Sequence, residues 1–286
     1  MKFKMFDKVR DKRIVKGLLA FIFLIASLTV IYEGFMSEDY SDASDYSGEE
    51  AISACNVTAI NLHGEMLTYV SPSDQDENGY TTLDQIASEN VIQFIEDSEA
   101  DDSIKAIVME IDSMGGSPVA GEEISMALKT AKKPTVAFVR GMAASAAYLA
   151  ASGADKIYAS KYSDVGGIGV TMSYLDYSQQ NQNDGLIYNQ LSSGKFKDAG
   201  DPEKSLSEEE KALFTRDINI MHQNFVKEVA ENRKLDIKKV SAMADGSTML
   251  GEMALKNGLI DAIGGYPEVK EYLKERIGED VEICWY

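Results

Sequence analysis

Three short segments place side chains and backbone where covalent chemistry is possible. The first is Asp112-Ser113-Met114-Gly115-Gly116-Ser117-Pro118, between an apolar run and a helical pattern. Paired glycines there let backbone N–H groups converge on an anion. The second is Gly141-Met142-Ala143-Ala144-Ser145-Ala146-Ala147-Tyr148. Its serine sits among side chains too small to cover it, which is the exposure a nucleophile needs. The N–H of Ala146 stands beside it, available to a developing oxyanion. The third, Leu191 to Gly200, carries Lys195 and Lys197, either of which can serve as a base. Each segment also has a plainer reading. These are, in turn, a glycine-rich strand–helix turn, a helix packed through small side chains, and a solvated loop with lysines.

A serine nucleophile needs a base, and histidine is the usual one. The two histidines, His63 and His222, lie in a predicted strand and in the middle of a predicted amphipathic helix. Neither has the surroundings of a triad, and each reads as structural or exposed. That leaves lysine. An ordinary lysine has a pKa of about 10.4, so a lysine base must be sheltered from water to lose its proton.

The elements that must hold these groups follow from periodicity. Residues 57–63 and 104–111 read as strands, the second so apolar that both faces of its sheet must be covered. Helical spacing runs over 82–97 and 119–131; strands are expected at 135–139 and 156–159, with a small-residue helix after Gly141. Strand–helix alternation of this kind predicts a parallel sheet with covering helices. Ser207 and Glu210 form a capping-box pattern that opens a helix of about two dozen residues, with Leu213, Ile218, Met221, Phe225 and Val229 as its apolar face. Helices are expected at 236–244, 250–257 and 267–277, and a last strand at 281–285.

The chain's 286 residues carry 28 Lys+Arg against 47 Asp+Glu, a net charge of −19. So acidic a chain has little with which to neutralise phosphates, and nucleic acid is not an expected partner. Two cysteines and two histidines exclude zinc fingers, iron–sulfur centres and disulfide-stapled scaffolds; no cofactor or metal is expected. Residues 1–16 run against the trend, with seven Lys/Arg and two Asp. Residues 17–36 follow as a predominantly apolar stretch whose only charge is Glu33, and 37–55 as an acidic, serine-rich linker. A basic flank before and an acidic flank after predicts a single membrane-spanning anchor at 17–36 in contact with lipid. The N-terminus would be inside and the folded part, 56–286, outside. A cleaved secretory signal is the alternative, but Glu33-Gly34-Phe35-Met36 offers no small-x-small site. Cys55 and Cys284 flank the folded part; a disulfide and two free thiols are equally consistent with the sequence.

The three segments, in this order and spacing, resemble the signal peptide peptidase A family of bacterial membrane-anchored serine peptidases. The likeness runs over about residues 57–277. It implies an α/β fold of the Clp protease/crotonase type, built of repeated β-β-α units. It also implies a Ser/Lys dyad in which Ser145 is the nucleophile and Lys197 the general base, with Lys195 only a neighbour. The oxyanion hole then falls on Gly116 and Ala146, with Gly115 shaping the turn. By the same resemblance the chain is a homo-oligomer whose sites are shared between subunits. It would degrade cleaved signal peptides or other short apolar peptides outside the bacterial cytoplasmic membrane. Three positions depart from the family's pattern. Met114 replaces a proline, Ala146-Ala147 replace a glycine pair, and Gly167 replaces a serine whose hydroxyl normally contacts the lysine. The last motivates an alternative, a membrane-anchored scaffold of weak or no activity. A crotonase-type acyl-CoA enzyme is a further alternative. It would need no anchor, and its chemistry uses carboxylates where these segments offer Ser and Lys.

Overall fold

The structure is a computed structural model that describes residues 55–71 and 84–286. They belong to a unit spanning Ala54–Tyr286. The predicted basic segment, the anchor at 17–36 and nearly all of the acidic linker lie outside the described residues. Among those described, no helix is long and apolar enough to cross a membrane.

The sheet is organised around three long strands, β1 (Val57–Leu67), β3 (Ala106–Gly116) and β4 (Thr135–Ala144). Its order is β2-β1-β3-β4-β5-β8, with β2 at Gln85–Ala87, β5 at Lys156–Ala159 and β8 at Ala262–Ile263. These pairings are all parallel. Two further strands, β6 (Asp164–Gly166) and β7 (Thr248–Leu250), pair antiparallel and make the sheet mixed. The last strand, β9 (Ile283–Trp285), lies parallel to Val57–Ala59. One edge of β1 is therefore shared by β9 and β2, and one edge of β4 by β5 and β6.

Alternation along β3 shows why its apolar run was continuous. Ile107, Met109 and Ile111 enter the larger core, while Ala106 and Val108 enter the smaller one on the opposite face. The larger core is closed by α1 (Ser88–Ala100), α2 (Pro118–Thr130), α3 (Ala146–Ser152) and the C-terminal half of α5 (Glu208–Arg233). The smaller is closed by Val269 and Leu273 of α8 (Tyr266–Ile277). The connecting helices are α4 (Ser178–Asn183), α6 (Ile237–Ser241) and α7 (Gly251–Asn257).

Several boundaries differ from the sequence reading. The helix predicted over 82–97 begins at Ser88, because Gln85–Ala87 first pair with Glu65–Leu67 as a strand. The Gly115-Gly116 segment is not a turn. After a register shift, β3 continues through it and pairs Gly115 and Gly116 with Glu65 and Met66. The long helix opens with the predicted capping box, Ser207 accepting from the Glu210 N–H while the Glu210 carboxylate accepts from the Ser207 N–H. Its apolar face is buried only from Phe225 onward; Leu213 and Ile218 stay partly exposed. The cysteines are paired: Cys55 and Cys284 form a disulfide that ties the start of β1 to β9.

Candidate active site

Ser145 occupies the single residue between β4 and α3. Its backbone has φ 54° and ψ −126°, and Lys234 is the only other described non-glycine residue at positive φ. A non-glycine residue in such a region costs roughly 1–3 kcal/mol and persists only when its surroundings fix it. Here they do. The Ser145 N–H donates to Gly166 O at 2.8 Å, and its carbonyl accepts from the Leu149 N–H at 3.0 Å. A sharp strand-to-helix turn of this kind presents a nucleophile away from its own strand and helix.

The small residues around Ser145 satisfy both readings of the sequence. All of α3 is buried. Gly121 of α2 lies so near that a Cβ there would stand 2.7 Å from Ala146 O, and one on Gly153 would stand 2.2 Å from Ser125 O. Close helix packing therefore requires small side chains, and the same packing leaves Ser145 half-buried at a cavity edge. Asn232 of α5 locks the arrangement by donating to Ser125 Oγ and Ser152 Oγ, each at 3.0 Å.

The cavity at Ser145 has a volume of about 320 Å³, and Gly116 and Ala146 line it with the serine. Gly115 stands behind them at φ 100°, where a Cβ would meet Ala144 O at 2.8 Å and Ala146 N at 2.9 Å. Its N–H donates to Ser113 Oγ at 3.0 Å. Gly116, at φ 151°, lies so close to Met66 that a Cβ would meet its carbonyl oxygen at 2.2 Å. Both glycines are thus required by close backbone approach. A larger cavity, about 750 Å³, lies beside the same glycine pair and is lined by His63, Glu65, Asp84 and Asp112. Its serine, Ser113, is buried and donates its hydroxyl to Gly64 O.

Lys197 lies elsewhere. Its side chain is exposed and it does not line the Ser145 cavity. Lys195 is ion-paired with Glu209 at 2.6 Å. The segment that carries Lys197 is held by its neighbour Asp198, which sequence reasoning passed over. Asp198 accepts from Tyr188 OH at 3.0 Å, Gln190 Nε2 at 2.5 Å and Lys204 Nζ at 3.3 Å. Lys204 also donates to Glu210 at 2.6 Å, which joins the lysine segment to the capping box of α5. The Lys204 ammonium, then the Ser207 N–H and hydroxyl, hold the Glu210 carboxyl down at about 2. Partial burial, then bonds to Asp198 and Asp201, push the Tyr188 hydroxyl up to about 12. The only signal for this network in the sequence was the capping box itself.

Both histidines are hydrogen-bonded within the fold. His63 Nε2 lies 3.1 Å from Glu110, a buried carboxylate that also accepts from Arg140 and the Tyr266 hydroxyl. His222 Nε2 lies 3.0 Å from Ala244 O. Gly167 has φ 60° and packs beneath the nucleophile, where a Cβ would come 3.1 Å from Ser145 N. Ser163 is buried and donates its hydroxyl to Val139 O and Arg140 O. Thr171 lines the Ser145 cavity. Among the described residues, no cluster of His, Cys, Asp or Glu could hold a metal ion.

A strained serine between a buried strand and helix shares a cavity with Gly116 and Ala146, on a Clp-protease-like α/β fold. The model of the Clp protease family matches residues 79–163. That of peptidase family S49 matches residues 127–280, more than half of the chain, and the chain belongs to this family. A protein of Methanocaldococcus jannaschii named as a protease is 37% identical over 64% of this chain and 60% of its own length. One of Enterococcus faecium named as a signal peptide peptidase SppA is 29% identical over 79% of this chain and 65% of its own. The chain thus spans somewhat less than two thirds of the length of these relatives. The solved structure of a ClpP1 mutant from Listeria monocytogenes aligns with a TM-score of 0.46 at 16% identity, covering 73% of this chain and 92% of that one.

Proposed function

We propose that this chain is a membrane-anchored serine endopeptidase in which Ser145 and a lysine base, Lys197, form the catalytic dyad. The observation that carries the reading is the Ser145 elbow at a cavity shared with Gly116 and Ala146. Ser145 Oγ attacks the scissile carbonyl. Lys197 Nζ takes the hydroxyl proton and later gives it to the leaving amine; water then hydrolyses the acyl-enzyme through the same base. The N–H groups of Gly116 and Ala146 hold the tetrahedral oxyanion, worth about 3–4 kcal/mol for a good donor.

Within one chain Lys197 is exposed and does not line the Ser145 cavity, which supports a reading in which the lysine that serves a given serine comes from a neighbouring copy. Exposed apolar side chains in the same stretch of chain support that assembly. Leu191 is 99% exposed and Ile187 83%, and Leu175, Leu186 and Phe196 stand out beside them. Burial of this surface against a second copy would also exclude water from the amine, which a neutral base requires. The substrates are cleaved signal peptides or other short apolar peptides. The domain order is a basic segment at 1–16, an anchor at 17–36, a linker at 37–55 and a peptidase domain at 56–286. The disulfide supports a domain outside the cytoplasmic membrane, where thiols are oxidised.

The test is hydrolysis of a fluorogenic peptide by the oligomer together with labelling of Ser145 by a fluorophosphonate. Both are lost in Ser145→Ala, hydrolysis is lost in Lys197→Met, and the rate of the parent rises with pH. Unchanged hydrolysis in either variant overturns the dyad. The scaffold reading is favoured by one observation, that the backbone at Gly167 is left-handed and carries no hydroxyl for the lysine. An assembled protein that neither hydrolyses peptides nor takes the label would establish it.

A further inference from the structure

The walls of the Ser145 cavity are largely apolar, with Val119, Leu149 and Phe225 among them, yet two carboxylates also line it: Glu122 on α2 and Glu228 on α5. Glu122 is exposed and Glu228 half-buried. Among the described residues no ion pair joins either to a cation. The two lysines whose charges act on Glu228 are occupied elsewhere. Lys129 Nζ donates to Asn232 Oδ1 at 2.9 Å, and Lys227 Nζ lies 3.9 Å from Glu231. Burial, then the charges of Glu122 and Glu231, raise the Glu228 carboxyl above the usual carboxylate range, while Lys129 and Lys227 pull the other way. The cavity thus holds two negative groups, one partly withdrawn from water, with no positive group between them. A long aliphatic stem ending in a cation answers both features, with its methylenes on the apolar wall and its charge at the carboxylates.

We propose that this cavity receives a lysine or arginine side chain of the peptide, on the residue whose carbonyl Ser145 attacks, and that Glu122 and Glu228 set this selectivity. The position follows from the lining. Ser145, Gly116 and Ala146 share the cavity, so a carbonyl held among them turns its own side chain into it. The inference rests on Ser145 being the nucleophile. It narrows the substrates to peptides in which a basic residue meets an apolar segment.

The experiment compares two fluorogenic peptides alike except at that residue, one with lysine and one with norleucine, which keeps the stem and drops the charge. In the native oligomer kcat/KM for lysine exceeds that for norleucine by about tenfold or more, since a site built to pair a polar group rejects the analogue lacking it. The ratio falls as salt is added, because Glu122 is open to solvent. It falls toward one in Glu122→Gln/Glu228→Gln and partway in Glu122→Gln alone, an exposed change that keeps the test valid if the double variant misfolds. A ratio at or below one in the native oligomer, with norleucine cleaved, overturns the inference and leaves the Ser145 reading standing. A ratio that persists in both variants also overturns it. Failure to cleave either peptide, with no fluorophosphonate label on Ser145, overturns both.

Discussion

The serine half of the proposed dyad and the lysine half are held by opposite means. Ser145 is fixed within the chain by β4, α3, the Gly166 carbonyl and the glycines of α2 and β3. Residues 171–200 around Lys197 have almost no buried side chains and are held by polar bonds to Asp198 and Lys204. A buried elbow is completed by its own core, whereas an exposed apolar segment is completed only when something covers it. Strain can therefore be stored at Ser145 and not at Lys197.

The largest expected effect tests that division directly. Ser145→Ala and Lys197→Met should each lower kcat by about 10⁴-fold or more, by analogy with the loss of a catalytic nucleophile or base. If the two halves come from different copies, mixing the variants before assembly restores activity, with about one site in four complete by random assortment in a ring. No recovery in the mixed oligomer would place both groups in one chain.

Next in size is the disulfide, which ties the start of β1 to β9. It closes a loop with a sequence separation of 229 residues. Chain-entropy arguments assign such a loop about 5 kcal/mol. Reduction should lower Tm in calorimetry while the geometry of residues 171–206 is untouched. A small shift would mean that β9 pairing alone secures the end of β1.

Gly115→Ala should lower kcat about 10²-fold, the loss expected when an oxyanion donor is displaced. The added Cβ would press on Ala144 O and Ala146 N. An unchanged kcat would show that the segment relaxes without moving the donors.

The smallest effect concerns the lysine half. With its carboxyl held at about 2 against an ordinary value of 4.5, Glu210 stabilises the fold fully above pH 4.5. That contribution is lost as pH falls from about 4.5 to about 2. Lys204 is raised by the same pair, so its share is present below 10.5 and lost as pH climbs through its folded value. Glu210→Gln should therefore have a lower Tm than the parent at pH 7 and the same Tm near pH 2. A gap that does not close in acid would remove the carboxylate as its cause.

The sequence by itself determined the elements whose periodicity and caps are local. These were the continuous apolar run of β3, covered on both faces, and the Ser207–Glu210 capping box. It also singled out Ser145, because small neighbours leave a serine uncovered whichever way the helix packs. Only the tertiary structure decided that Gly115-Gly116 continues a strand, since its partners, Glu65 and Met66, lie some fifty residues away. The same holds for the left-handed backbone at Gly167, the pairing of Cys55 with Cys284, and the meeting of Glu122 and Glu228 at one cavity. Each depends on long-range approach of backbone or side chains, and local composition carries no record of such contacts.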